Sequence, residues 1–333
     1  MYQSKLIYIL RGLTKEEFKQ FRKFLQSPIF TTNPTPLKFY DILKKDYPHF
    51  DSPKLTREQV YKKLFPNKEF GYHRMGNYMT ELTQLAERYL VFLENEKDDF
   101  QKKKTLIQAY GKRNYYDWFE KGTMDLIEEL NQKPFRDEEY FRQIGNLKSD
   151  YYFHPKTNKY STKQDLPKEI MEAKDKAFVV QKLQMAGVLK GREKLLSVNY
   201  QISMVEEALN YSIKQNIDSF PLFDVYKYIY KIHNEEDEIN HFIKAKNLFK
   251  THIEKISISQ QKIILQNLLN YSIRQINKGN FDFNGEAYAL YRMGFMHNLI
   301  IDNGLITEAT FGNIANVAGV LGDYNWAENF INE

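Results

Sequence analysis

At 333 residues, with 48 Lys/Arg against 43 Asp/Glu, the chain is long enough for two or three domains and stands close to charge balance. It has no cysteine, which excludes disulfides, thiolate metal sites and cysteine nucleophiles together. Its 15 Gly, 10 Pro and ten Val are few enough to argue for an all-α fold. The charge is uneven: residues 1–75 carry 15 Lys/Arg and 7 Asp/Glu, a net +8, and the remainder is net −3.

The first apolar run, Leu6–Leu10, is too short for a signal-peptide core, and no run approaches the roughly 20 apolar residues of a membrane span. A soluble, cytoplasmic protein without membrane contact is expected. Residues 1–97 read as a basic N-terminal helical module. Thr14-Lys-Glu-Glu17 is a capping-box pattern, and Phe18, Phe21 and Leu25 follow on one helical face. Ser27–Pro36 breaks that helix, and a second, with Leu37, Tyr40 and Leu43 inward, stops near Pro48. Thr56-Arg-Glu-Gln59 opens a third that ends at Phe65-Pro66. Met75, Tyr78, Met79, Leu82, Leu85, Ala86, Tyr89, Leu90 and Leu93 keep helical period through a fourth.

Residues 98–333 read as a helical solenoid, regular from about 167. Two helices fall within 100–131 and another at about 137–153, before a polar stretch at 154–165 that reads as a surface loop, mobile or binding. Helices are then expected near 167–191, 199–216, 220–232, 236–254, 257–278, 284–302, 306–321 and 323–332. Ser257-Ile-Ser-Gln260 is a further capping box, and the acids after Asn234 suit a helix N-terminus better than a metal site. The 24 Tyr and 24 Phe are expected to fill gaps between helices, Tyr with its ring inward and its hydroxyl toward water.

The segment 306–333 resembles a tetratricopeptide-type helix–turn–helix repeat. Phe311 stands at the bulky opening position, Ile314-Ala315 at the Leu-Gly pair, Gly322 at the turn, Tyr324 at the start of the second helix, and Ala327 at its small contact position. Ala318 departs from the pattern, since Tyr is usual there, and the visible chain stops inside the repeat. Leu268, Tyr271-Ser272, Gly279 and Phe281 repeat the register 43 residues earlier. Further steps of 43 or 44 fall on the Asn234–Glu236 turn and on Gly191. The resemblance implies a divergent tetratricopeptide-like α-solenoid of antiparallel helix pairs following the N-terminal module. In such a fold the first helix of each pair lines a concave groove, which implies a peptide-binding site at Asn270, Arg274, Asn277, Asn313 and Asn316, joined by Lys227 and Lys231. An acidic segment or a terminal carboxylate is the favoured ligand. Trp326, Phe330 and Ile331 on the last helix imply self-association through the C-terminal end.

No Walker motif, nucleophile elbow or histidine ligand spacing occurs; His241 and His252 share a helix face but lie about 16 Å apart along it, at 1.5 Å per residue. A non-enzymatic protein-interaction scaffold without cofactor or metal is therefore expected. The second-ranked reading is a nucleic-acid-associated regulator. Thr56–Phe65 and Gly71–Leu93 would form a helix–turn–helix whose candidate basic patch is Arg57, Lys62, Lys63, Lys68 and Arg74. Against it stand the many apolar positions of the second helix, together with Glu81 and Glu87, so little sequence-specific binding is expected there.

Overall fold

A computed structural model describes residues 1–157, 165–214, 220–235, 239–301 and 304–332. These residues form sixteen α-helices and, among them, no β-strand, so the protein is all-α. The chain divides into two compact units, Met1–Ala109 and Tyr110–Glu333. The division lies past the expected boundary at residue 97. Asp98 does leave helical geometry (φ −97°, ψ 87°), but the next helix starts at the following residue, so no linker separates the two.

Unit 1 contains α1 (Lys5–Gly12), α2 (Lys15–Gln26), α3 (Thr35–Leu43, extended by a 3₁₀ turn at Lys44–Asp46), α4 (Arg57–Leu64) and α5 (Tyr72–Lys97); α6 (Asp99–Lys112) runs across the division. Helix α5 packs against each of α1 to α4. Its inner face buries Met75, Met79, Leu82, Leu85, Ala86 and Tyr89, at the helical spacing read from the sequence, while Tyr78 and Leu93 are half-buried. Helix α2 starts with the expected capping box: Thr14 accepts from the Glu17 amide at 3.3 Å, and the Glu17 carboxylate accepts from the Thr14 amide at 2.8 Å. Those bonds hold the Glu17 carboxyl below its usual range. Helix α1 was not expected from the sequence, yet Leu6, Ile7 and Leu10 are all buried in the core.

The tyrosines correct an expectation. Tyr40 and Tyr89 turn their hydroxyls inward, donating to the carbonyls of Phe18 at 2.7 Å and Glu17 at 2.9 Å. Both rings surround Phe21 in an aromatic core, with centroids 5.7 and 5.1 Å from it. Burial pushes both phenols up to about 12.

Unit 2 contains α7 (Tyr116–Gln132), α8 (Glu138–Phe153), α9 (Leu166–Leu196), α10 (Val205–Ile213), α11 (Pro221–Asn234), α12 (Ile239–His252), α13 (Ile258–Asn277), α14 (Phe283–Met296), α15 (Glu308–Val320) and α16 (Tyr324–Asn332). Each helix from α7 to α16 packs against the next, and α9–α11 and α11–α13 also touch. The turns α13–α14 and α15–α16 are built alike, 43 residues apart. Gly279 and Gly322 have φ of +92° and +75°, where an L side chain is strained. The amides of Asn280 and Asp323 reach back to the carbonyls of Gln275 and Ala318, at 3.0 and 3.1 Å. These are Schellman-type C-caps in equivalent places.

One step before Gly279 the register falls at the end of α11, before α12, and two steps before it fails. Gly191 is not a turn: α9 continues to Leu196, and the His233 ring lies 3.5 Å from where a Gly191 Cβ would stand. Helix α10 is shorter than the expected 199–216, because Ser197 and Met204 take left-handed backbone and the Glu193 carboxylate accepts from the Tyr200 amide at 2.7 Å. Ser257 caps α13 by position without a side-chain bond to its amides; its hydroxyl lies 3.3 Å from that of Ser259 instead. Most of the polar stretch at 154–165 and the acids at 236–238 lie outside the described residues. His154 and Thr157, at the start of that stretch, are buried, and Thr157 donates to the Tyr151 carbonyl at 2.7 Å.

Small residues set the close helix approaches. A Cβ on Gly294 would stand 2.5 Å from Ile300 and 2.8 Å from Leu265, so any larger residue there requires those side chains to shift. Trp326 and Phe330 belong to the last described helix. They are half-buried against Tyr288 and Phe295, and the exposed apolar side chains nearby are Val320, Leu321 and Tyr324. Ile331 is not described at side-chain level. Among the described residues, no helix is long and apolar enough to cross a membrane.

Candidate functional site

Two adjoining hollows open in unit 2 along α13. The larger, about 500 Å³, is walled by α9, α11, α13, the residues Leu299, Ile300, Leu305 and Thr307, and the first turn of α15. The smaller, about 450 Å³, lies between α13, α14 and α15. They share Gln266, Leu269, Asn270, Arg274, Thr307 and Thr310. The stripe Lys262, Gln266, Asn270, Arg274 and Asn277 recurs at three- and four-residue steps, so one face of α13 supplies the common wall. The opposite face, with Ile264, Leu268 and Tyr271, is buried in the core.

A chain of hydrogen bonds fixes the central cation. Arg274 Nη2 donates to His233 Nδ1 at 2.9 Å, which requires the His233 proton to sit on Nε2. Nε2 lies 3.1 Å from Asn267 Oδ1 and donates to it, and Asn267 Nδ2 donates to the Ile263 carbonyl at 2.8 Å. His233 is 1% exposed, so this relay is part of the core and holds a half-buried guanidinium toward the hollow. Arg274 also lies over the Tyr271 ring, 5.7 Å from its centroid. Around it, Gln266 Nε2 donates to Asn270 Oδ1 at 2.8 Å. Asn313 bonds the Tyr291 hydroxyl and partly offsets the upward push that burial gives that phenol.

The charge in the larger hollow has one sign. Arg192, Lys262 and Arg274 line it, and no Asp or Glu occurs among its described lining residues. Glu193, next to Arg192 in sequence, is drawn away to Lys190 at 2.9 Å and to the Tyr200 amide.

Of the groove residues expected from sequence, the structure brings together Asn270, Arg274, Asn277 and Asn313. It does not bring Asn316, which is exposed outside both hollows, nor Lys227 and Lys231. On α11 those two lysines sit roughly 120° and 160° around the axis from His233, at 100° per residue. They are engaged by Asp224 and, at 3.6 Å, by Glu235. Sequence reasoning missed Lys262, Arg192 and His233. Lys262 could have been found by extending the α13 stripe two turns back, whereas Arg192 and His233 arrive from other helices and leave no local signal. Among the described residues no group of three or more His, Asp or Glu could hold a metal ion.

In unit 1 the candidate basic patch borders the α4–α5 turn. Lys62, Lys63, Lys68 and Arg74 are exposed, and Arg57 is half-buried with its guanidinium 4.8 Å from the Tyr72 ring centroid. The Lys68 ammonium lies 5.3 Å from the Phe65 ring. No protein-family model, curated protein or solved structure matches the chain.

Proposed function

We propose that unit 2 is a non-enzymatic protein-interaction module, a divergent tetratricopeptide-like solenoid that captures an acidic peptide segment or a terminal carboxylate in the hollows along α13. The carrying observation is the single sign of charge in the larger hollow, centred on an Arg274 already oriented by His233. Pre-orientation lowers the entropy lost on binding, and a guanidinium reads a carboxylate through paired N–H donors. Asn270 and Asn313 offer both donors and acceptors to a peptide backbone. Binding is favoured over catalysis because both ring nitrogens of His233 are committed, which leaves it unable to serve as a general base. A cysteine-free chain suits a reducing, cytoplasmic setting.

The test is a titration of the whole protein by fluorescence polarisation against matched acidic, neutral and basic peptides with free or amidated C-termini. Acidic peptides should bind most tightly. Arg274→Ala should weaken them roughly 10- to 100-fold, as expected for a lost charge-assisted pair. Asn270→Ala with Asn313→Ala should weaken all peptides by a smaller factor. Equal binding of basic peptides, or indifference to Arg274→Ala, would overturn the reading.

A further inference from the structure

We infer that unit 1 carries a second interaction surface, independent of the hollows in unit 2, in which the outward face of α5 enters the major groove of duplex DNA. The sequence argued against this on two grounds, and the structure removes both. The apolar positions that the proposed face would have to avoid turn inward: Met75, Met79, Leu82, Leu85, Ala86 and Tyr89 are buried, and the exposed Leu90, Val91 and Phe92 lie in the second half of α5, beyond that face. The two carboxylates are engaged elsewhere: both Glu81 oxygens accept from Asn33 Nδ2, at 2.9 and 3.0 Å, and Glu87 pairs with Lys5.

What remains outward on the first half of α5 is unusual for a solvated helix face. His73, Arg74, Asn77, Thr80 and Gln84 are all exposed, with no lysine among them, and Glu81, which falls between Asn77 and Arg74 around the axis, is half-buried and bonded to Asn33. Four of the five, His73, Asn77, Thr80 and Gln84, fall within about 60° of one another at 100° per residue, over about 16 Å of axis. An ordinary exposed face is dominated by Glu and Lys, which solvate and pair along the helix. Arg, Asn and Gln are the side chains that pair bidentately with guanine and adenine edges, and Thr reaches either an edge or the thymine methyl. Thr80 donates its hydroxyl proton to the Gly76 carbonyl at 3.0 Å, which turns its oxygen into an acceptor.

The flanking charge fits the same ligand. Lys62 and Lys63 end α4, Lys68 lies in the turn, and the cation–ring contacts of Arg57 with Tyr72 and of Lys68 with Phe65 hold these groups beside the start of α5. A reading helix bordered by cations on the preceding helix and turn matches the division between phosphate contacts that position and base contacts that specify. An acidic protein would satisfy the cations but would leave the Asn–Thr–Gln stripe without a role.

The experiment uses the full chain and labelled random 20-bp duplexes, read by fluorescence anisotropy across salt, with sequencing of the bound fraction. Binding should weaken with salt at a log–log slope of about −4, from four or five phosphate contacts. The triple variant Lys62→Ala, Lys63→Ala, Lys68→Ala should weaken every duplex alike and flatten that slope by about 3. Asn77→Ala with Gln84→Ala should leave the slope and cost the enriched sequences roughly 10- to 100-fold of their preference. If that pair loses helicity by circular dichroism, the near-isosteric Asn77→Asp with Gln84→Glu replaces it and should abolish duplex binding by repulsion. Arg192→Ala with Lys262→Ala in unit 2 should change nothing. The inference is overturned if no sequence is enriched, if the unit 2 variant carries the binding, or if polyglutamate binds as tightly as duplex with the same salt slope.

Discussion

Unit 1 and unit 2 are both helical and both rich in aromatic rings, but they use polar groups in opposite ways. Unit 1 gathers its helices around one spine, α5, and satisfies polar atoms inside the core, with the Tyr40 and Tyr89 hydroxyls donating to the α2 main chain. The outward face of the first half of α5 is left to amide, hydroxyl, imidazole and guanidinium side chains. Unit 2 passes from helix to helix, each packed on the next, and its small residues permit close approach at some crossings while hollows open at others. There the polar relay Arg274–His233–Asn267 runs from the core to the wall of a cavity. An exposed helix face carries the proposal in one case and a concave site in the other. That difference explains why the two proposed ligands differ, a duplex whose groove receives a helix for one and an inserted peptide for the other.

The sharpest way to break the comparison is through the core of unit 1. Phe21 is 0% exposed and touches Phe24, Tyr40 and Tyr89. Phe21→Ala should cost about 3–5 kcal/mol, through lost burial and the cavity left behind. Hydrogen exchange should show protection lost across residues 1–109 while α11 to α14 keep theirs. Protection lost equally in both units would mean that they do not behave as separate cores.

Alkali should act next most strongly. Tyr40 and Tyr89 titrate near 10 when unfolded and are pushed up to about 12 in the folded protein by burial. The folded state thus holds their protons more tightly, so the stability they contribute is intact below pH 10 and drains as pH climbs through 12. Denaturant melts of unit 1 between pH 9 and 12 should show that decline. In the Tyr40→Phe, Tyr89→Phe variant the decline should be shallower relative to its own value at neutral pH. An identical pH profile would rule out these phenols as its source.

Much of the helical layout was legible because its signals are local. The periodicity of α5, the cap at Thr14 and the paired glycines at 279 and 322 each depend on residues within a few turns. Helix α1 was missed because Leu6–Leu10 was weighed only as a signal-peptide core; Leu6, Ile7 and Leu10 fall on one helical face and are buried, while Tyr8 is exposed. Gly191 was misread as a turn because a glycine inside a long helix gives the same signal as one after it. The α13 stripe was legible for the same local reason as α5. Arg192 and His233 meet it only through folding, and Lys227 and Lys231 were placed in the groove by stepping 43 residues back onto α11, whose hollow-facing residue is His233.

At Gly294 a side chain has nowhere to go. Gly294→Ala gains about 1 kcal/mol of helix propensity but forces a methyl to within 2.5 Å of Ile300 Cδ1 and 2.8 Å of Leu265 Cδ2. Overpacking of this kind costs about 1–3 kcal/mol, so a net loss of up to about 2 kcal/mol is expected in urea melts of unit 2. Ile300→Val removes the nearest colliding carbon and should recover part of that loss. A stabilised Gly294→Ala protein would show that the α13–α14 approach is looser than its geometry.

The smallest effect sharpens the comparison most, because it sets one sequence pattern in the two units against itself. Thr14 and Ser257 both open a capping-box motif, and both precede a helix in extended backbone (φ −64° and −62°). Only Thr14 makes the bonds: its side chain accepts from Glu17, whose carboxylate accepts in return, whereas the Ser257 hydroxyl turns to Ser259. The third residue after each cap supplies the reason. Glu17 brings a charged acceptor that reaches back to the Thr14 amide, while the Gln260 side chain is engaged by the Tyr226 hydroxyl from α11. Without that returning partner the box does not close. Thr14→Ala should therefore cost about 1 kcal/mol, and Ser257→Ala no more than a few tenths. Equal costs would mean that the Ser257 cap forms in solution and that Gln260 leaves Tyr226 to complete it.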